Sequence, residues 1–452
     1  MTPTGRDPSP TEQQAAAPAV SSRSRIAAGP ASARGSAAKN RLIAFIEPHR
    51  GGRFAALDGY RAVAALGVVV FHVGGAPTSD LANNGTLVGG IVGNLGNFGV
   101  ATFFLLSGFL LYRPFVVAHF GGNPAPDTVR FYRHRLIRIV PAFWVALTGW
   151  FLLVWSNLPQ GHRMSLTPDN LATVYGFAQI YRPLFGFAAL TTAWTLCIEI
   201  TFYLVLPGIA WAIREVLGSG ARSLTNRLRA QLLGIGALMV IGWIYRLTIV
   251  GAYAVAPVAS GQDNEHLWLP NFFDWFGLGM LLAVAVAWRD LGNPLPRLTR
   301  RVANLGWLCW SAAGVIYLVV VMVRGSTPEV AMGANKETLA QLSVRMLLNG
   351  LAAFFFLLPG ILGTARNSMV RRGLATAVPA YLGTISYGIY LWHKVWLDWL
   401  LGGPDVRWGF WPMLAAVLAL TVVVASVSWF GIERPLMRFK DPSAPQPRGA
   451  AA

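Results

Sequence analysis

Charge is what this 452-residue sequence has least of: 12% of its residues are Asp, Glu, Lys or Arg, against about 25% in soluble globular proteins. A soluble chain of this length could not cover its surface with so few charges, so a purely aqueous fold is excluded. Acidic residues are scarcer still, 19 against 37 Lys and Arg, for a formal net charge of +18. An excess of that sign can point to nucleic acid. Here the basic residues fall in short clusters between apolar runs, and the positive-inside rule accounts for such clusters; nucleic acid is not expected as a partner. Cysteine is nearly absent. Cys197 and Cys309 both lie in apolar segments without CxxC spacing, so neither metal ligation nor a disulfide follows from them, and both are expected to be small buried thiols.

What the chain has instead is hydrophobic mass: 54% of residues are apolar, with 17 Trp and 25 Phe, as suits lipid-facing surfaces and interfacial belts. Residues 1–52 are rich in Ala, Ser, Pro and Arg without apolar period. They read as a disordered basic cytoplasmic tail, with no apolar region of the kind a signal peptide needs. Residues 53–438 form the expected membrane domain, and 439–452 a short polar cytoplasmic tail. The fold class is all-α, a polytopic membrane helical bundle of about ten spans. They lie near 57–76, 98–118, 137–157, 195–214, 231–251, 270–288, 305–323, 341–362, 379–400 and 410–431, each adequate for a hydrocarbon core of roughly 30 Å. An eleventh candidate, 171–190, carries Gln179, Arg182 and Pro183 in mid-run and reads as an outer re-entrant or interfacial segment.

Charge distribution tests that choice. With the N-terminus inside, the inner loops hold clusters around Arg130–Arg138, Arg214–Arg229 with Arg222, Arg289–Arg301, and Arg366–Arg372. The outer loops hold Arg163, Arg182, Arg324, Lys336 and Arg407. Fifteen cations stand inside against five outside, and a span at 171–190 would invert every later loop. The resulting expectation is a multi-pass protein of the inner (plasma) membrane with both termini cytoplasmic.

An ionisable group within a span costs about 3 kcal/mol or more, so each marks a candidate site. The first span reads LDGYRAVAALGVVVFHVG. Eleven helical steps bring His72 back to within roughly 20° of Arg61, about 16 Å further along one stripe. Arg61 is then expected near the cytoplasmic mouth and His72 in the outer half. Spacing alone leaves open a functional pair, or an Arg snorkelling to headgroups and a His bonded within the bundle. In GVATFFLLSGFLLYRP, Ser107 and Gly108 either permit close helix packing or line a site. The loop into the third span, RFYRHRLIRIVP, crowds Arg130, Arg133, Arg135 and Arg138 at its cytoplasmic end. Topology alone would place cations there. Guanidinium groups also bind phosphates bidentately, and Arg135 and Arg138 share a helix face. WTLCIEITFY carries Glu199 without a basic neighbour, and ISYGIYLWHKVW carries His393 and Lys394. His72, Glu199 and His393 are thus expected at similar depth on three helices. Those are the ingredients of an acid–base centre and equally of a proton relay. Adjacent Glu433 and Arg434 read as a local ion-pair lock.

Taken together, Arg61-x10-His72, GVATFFLLSGFLL, RHRLIRIVP, WTLCIEITFY, SYGIYLWH and ERPL stand in one order across about residues 55–438. In that order the sequence resembles the acyltransferase-3 family of integral membrane acyltransferases. The resemblance implies transfer of an acyl group, acetyl or another short acyl, from cytoplasmic acyl-CoA to a hydroxyl. The acceptor would be a carbohydrate, a glycolipid or a macrolide-like polyketide, and no metal is implied. The family's first-span His, its proposed catalytic residue, falls on His72, and its essential Arg on Arg61. The RxxR motif associated with the donor falls on Arg135 and Arg138, with Arg133 beside them. Glu199 is expected to assist catalysis. His393, Ser107, Trp194 and Tyr203 are expected to bind substrate. Some members carry a further span and an extracytoplasmic hydrolase-like domain; the sequence ends without them, so the membrane domain is expected to handle the acceptor. Cys197 stands where the family's W-T-L-x-x-E motif usually has another small residue, and no catalytic role is attached to it.

The competing class is a proton-coupled secondary transporter or exporter using His72, Glu199 and His393 as relay groups. No internal repeat or pair of broken helices of the kind transporter halves show is evident. A non-catalytic lipid-binding or scaffolding protein would leave the ionisable residues within the spans unexplained.

Overall fold

Apolar runs of this length can cross a bilayer only as helices, because no water is present there to satisfy backbone N–H and C=O groups. The computed structural model describes residues 56–79, 81, 86–158, 163–218, 220, 223–251, 264–324, 338–363, 369–402 and 408–439. The tail expected at 1–52 lies outside the described residues, as does all but Phe439 of the one expected at 439–452. So do Arg222, Lys336, Arg366 and Arg407 of the loop cations.

Among the described residues nine helices are long and apolar enough to cross a membrane. We label these nine, together with the shorter helix Ser386–Leu401, as α1 (Ala56–Gly74), α2 (Leu87–Gly121), α3 (Thr128–Leu153), α4 (Ala193–Trp211), α5 (Leu224–Tyr245), α6 (Phe273–Asp290), α7 (Gly306–Arg324), α8 (Leu339–Ile361), α9 (Ser386–Leu401) and α10 (Phe410–Ser428). The ends are locally encoded. Thr86, Asp127, Ser223 and Thr338 cap α2, α3, α5 and α8 by accepting backbone N–H groups in the first turn, as hydroxyl and carboxylate caps do. Gly122, at φ 69°, ends α2 in the left-handed conformation that glycine adopts without a Cβ penalty.

Three expectations change in detail. The second span begins at Leu87 rather than near 98, and the 35-residue α2 measures about 52 Å at 1.5 Å per residue. The stretch RFYRHRLIRIVP is no loop but the first turns of α3, because Asp127 caps that helix at the N–H of Arg130, 2.6 Å away. The ninth span is two helices, Ala377–Thr384 and α9, with Ile385 between them off the helical geometry. Gly383 there lies so close to the backbone carbonyl of Asp58 that a Cβ could not fit. Segment 171–190 contains no crossing helix. Part of the eight-residue helix Pro168–Tyr175 is followed by turns and a single 3-10 turn at Gln179–Tyr181.

Chain direction alternates along these helices, so one end of the bundle carries Arg61 and the start of α3, and the opposite end carries His72. We call these the arginine and histidine ends. Helix α2 runs through the middle, packed on α1, α6 and α8. Its crossing with α6 is tight because Gly108 faces the Phe276 carbonyl and Gly279 faces the Leu105 carbonyl. Two buried polar pairs fix neighbours without water. Asn94 and Asn349 exchange amide hydrogen bonds of 3.0 and 3.3 Å between α2 and α8. Arg246, just past α5, donates to Asp274 of α6 at 2.9 Å, both side chains being buried.

Candidate active site

A cavity of about 360 Å³ opens among α1, α2, α3, α4 and α9. Its polar wall holds Arg61, Arg135, Arg138, Glu199, Ser107 and Tyr203. The rest is largely apolar and aromatic.

Glu199 sits one turn before Tyr203 on α4, and both the Tyr203 hydroxyl and the Ser107 hydroxyl donate to its Oε1 at 2.6 Å. The Ser-Gly pair therefore divides its duties. Gly108 makes the α2–α6 contact, and Ser107, about 100° round the helix, reaches the cavity. Arg61 keeps a 3.4 Å contact to Asp58 on its own helix.

Arg135 and Arg138, three residues apart, turn together into the cavity. Arg133 is exposed and outside its lining, since a two-residue step turns a helix by about 200°. The Arg135 guanidinium lies 5.7 Å from the Phe131 ring, and its buried Nε has no hydrogen-bond partner. Among the described residues neither Arg135 nor Arg138 forms an ion pair with a carboxylate. Guanidinium groups held in a concave site with vacant donors have the chemistry of an anion-binding site.

His72 and His393 meet away from this wall. His72 Nδ1 lies 2.9 Å from the Val68 carbonyl and 3.2 Å from His393 Nε2. His393 Nδ1 lies 2.9 Å from the Ile389 carbonyl. A carbonyl only accepts, so Nδ1 carries the hydrogen in each ring. In the neutral pair His393 Nε2 is then a bare acceptor, and the His72 Nδ1–H is shared between it and Val68. That leaves the lone pair of His72 on Nε2, which takes no hydrogen bond among the described residues. The arrangement presents a base of defined tautomer. Neither histidine is part of the cavity lining. Of the three ionisable groups expected at one depth, the structure pairs the two histidines and places Glu199 with the arginines.

Trp194 meets Phe187 edge-on and Phe272 at a tilt, with ring centroids 6.4 and 6.0 Å away, outside the cavity lining. Glu433 and Arg434 do not lock each other. Glu433 accepts from the Ser428 hydroxyl at 3.4 Å, and Arg434 lies over the Phe430 ring. Lys394 pairs with Asp398, which also accepts from Trp150 at 3.2 Å. Cys197 and Cys309 are buried free thiols. Among the described residues no group of three or more His, Cys, Asp or Glu side chains gathers as for a metal ion.

The residues that sequence reasoning passed over are Tyr387, Tyr390 and Thr195. Both tyrosines line the cavity, Tyr387 donating to the Ile139 carbonyl at 2.8 Å. The Tyr390 hydroxyl lies 2.6 Å from that of Thr195 and donates to the Thr192 carbonyl at 3.2 Å. Their signal was the three-residue step Tyr387, Tyr390, His393, which keeps side chains near one side of a helix.

The model of an acyltransferase domain, Acyl_transf_3, matches residues 54–430. Among curated proteins the chain is 25% identical over 395 residues to "Putative peptidoglycan O-acetyltransferase YrhL" of Bacillus subtilis strain 168, covering 84% of this chain and 54% of that one. It is 26% identical over 417 residues to "Acyltransferase MdmB" of Streptomyces mycarofaciens, covering 86% and 93%. The chain thus spans about half the length of the first relative and most of the second. No solved structure matches.

Proposed function

The chain belongs to the acyltransferase-3 family and is a multi-pass membrane protein, and on that premise we propose that it moves a short acyl group from cytoplasmic acyl-CoA to a hydroxyl of a carbohydrate, glycolipid or macrolide-type acceptor. The observation that carries the donor half is the pair Arg135 and Arg138, both lining the cavity and neither ion-paired among the described residues. Polyanionic CoA matches that charge, and Arg61 completes the basic wall.

Arg61 stands about 16 Å along α1 from His72. It therefore acts on the phosphate part of the donor and not on the reacting carbonyl. An extended pantetheine arm carries the thioester from one to the other. There the Nε2 lone pair of His72 takes the proton of the acceptor hydroxyl as its oxygen bonds to the thioester carbonyl carbon. When the carbonyl re-forms, the carbon–sulfur bond breaks, and His72 returns the proton to the departing sulfur. The products are an ester and free CoA, with His72 neutral again. His393 acts through His72, holding its Nδ1–H so that Nε2 remains the base. Glu199 acts on the cavity: bonded to Ser107 and Tyr203, it offsets part of the arginine charge. The relative named as a peptidoglycan O-acetyltransferase supports a cell-envelope carbohydrate as acceptor.

The test is ligand-dependent stability of the full chain in lipid nanodiscs. CoA at 100 times its Kd stabilises a binding-competent fold by about 2.7 kcal/mol, read as a rise in Tm. Arg135→Ala or Arg138→Ala removes a charge-assisted contact of about 1.5–3 kcal/mol and weakens binding roughly 10- to 100-fold. A wild-type chain that CoA leaves at the same Tm contradicts the donor assignment.

A further inference from the structure

Neither histidine lines the cavity, and Tyr390 is a side chain that touches both regions. Tyr390 lines the cavity, yet its ring also lies against His393, with centroids 5.9 Å apart. It also meets Phe103, again with centroids 5.9 Å apart. The ring cannot swing freely. Its hydroxyl is held at the start of α4 by Thr195 at 2.6 Å and by the Thr192 carbonyl at 3.2 Å. The side chain is buried, so leaving those partners without replacements is costly. Tyr390 is about one turn before His393 on α9, which sets its ring against the His393 imidazole.

We propose that Tyr390 sets the length of acyl group the enzyme accepts, acting as the stop against which the acyl chain abuts as the thioester approaches His72. The inference rests on the acyl-CoA reading above. A two-carbon acyl group clears the pinned ring. A longer chain must either displace the ring from both hydrogen bonds or hold its thioester short of Nε2. Tyr390 touches no atom of the acyl transfer itself, so it determines specificity.

The experiment uses the full chain in nanodiscs and a series of unreactive CoA thioethers with ethyl, butyl and octyl groups, whose dissociation constants are read from ligand-induced Tm shifts. In the wild type the ethyl thioether binds more tightly than the octyl thioether. Tyr390→Ala removes the stop and opens apolar volume to the longer chain. The octyl-to-ethyl preference should then shift by about tenfold or more. Tyr390→Phe keeps the ring and should retain the wild-type order. Tyr390→Trp, which serves should the alanine variant fail to fold, should move the preference further toward ethyl. A wild type that binds CoA, with substituted chains of unchanged length preference, overturns the role of Tyr390 and leaves the donor reading intact. A wild type that CoA does not stabilise overturns the donor reading and this inference with it.

Discussion

Two imidazoles 321 positions apart in the chain decide between them which nitrogen can act as a base. Val68 and Ile389 carbonyls place the hydrogens, and that division is the residue-level content of the proposed mechanism. It makes His393 a positioning residue with a specific signature. His393→Phe removes the acceptor for His72 Nδ1–H, and kcat should fall by about 100-fold while KM for the donor stays unchanged. His393→Gln can offer its amide oxygen to the same hydrogen and should recover part of kcat. Equal losses in both variants, or an effect confined to KM, would speak against positioning. At this scale the sequence revealed polar groups that interrupt apolar runs. Arg61, His72, Glu199 and His393 stand out because lipid has no use for them. Tyr390 and Thr195 did not stand out, because tyrosine and threonine are ordinary in apolar helices and only the contact to His393 gives them meaning. The pairing of His72 with His393, and its separation from Glu199, depends on how α1, α4 and α9 rotate against each other, which no local pattern records.

Elements were legible where hydropathy and caps act together. The runs behind α4 through α8 and α10 are read correctly from length and apolar character. Misreadings came from tertiary causes. The Arg-rich start of α3 looks like a loop until Asp127 is seen to cap it. The break at Ile385 stands beside the close approach of Gly383 to α1, a contact between distant segments. The pair Arg246–Asp274 shows the same dependence, since the sequence places the two residues on different helices with no sign that they meet. Breaking a buried pair by removing one partner costs about 3–5 kcal/mol. Asp274→Ala should therefore lower stability by that amount in denaturant unfolding, while CoA binding by the folded fraction is unchanged. A loss below about 1 kcal/mol would place this pair with solvent-screened surface bridges.

On the scale of the whole molecule, the helices sort chemistry by depth. One end gathers guanidinium groups around a cavity. The other holds an oriented imidazole, and the Tyr390 ring touches the cavity and the His393 imidazole alike. On the orientation expected from the loop charges, the arginine end faces the cytoplasm, which is where the proposed CoA donor would arrive. A transporter needs a path that opens alternately to both sides around a fixed site; a transferase needs only to bring two substrates to one base. The most direct measurement is acyl transfer by membranes containing the chain, supplied with acetyl-CoA labelled in the acetyl group. Label should pass to a hydroxyl-bearing acceptor of those membranes as an alkali-labile ester, and His72→Ala should reduce the rate by about 100-fold or more while CoA still stabilises the protein. Undiminished transfer by His72→Ala would contradict the assignment of His72 as the base.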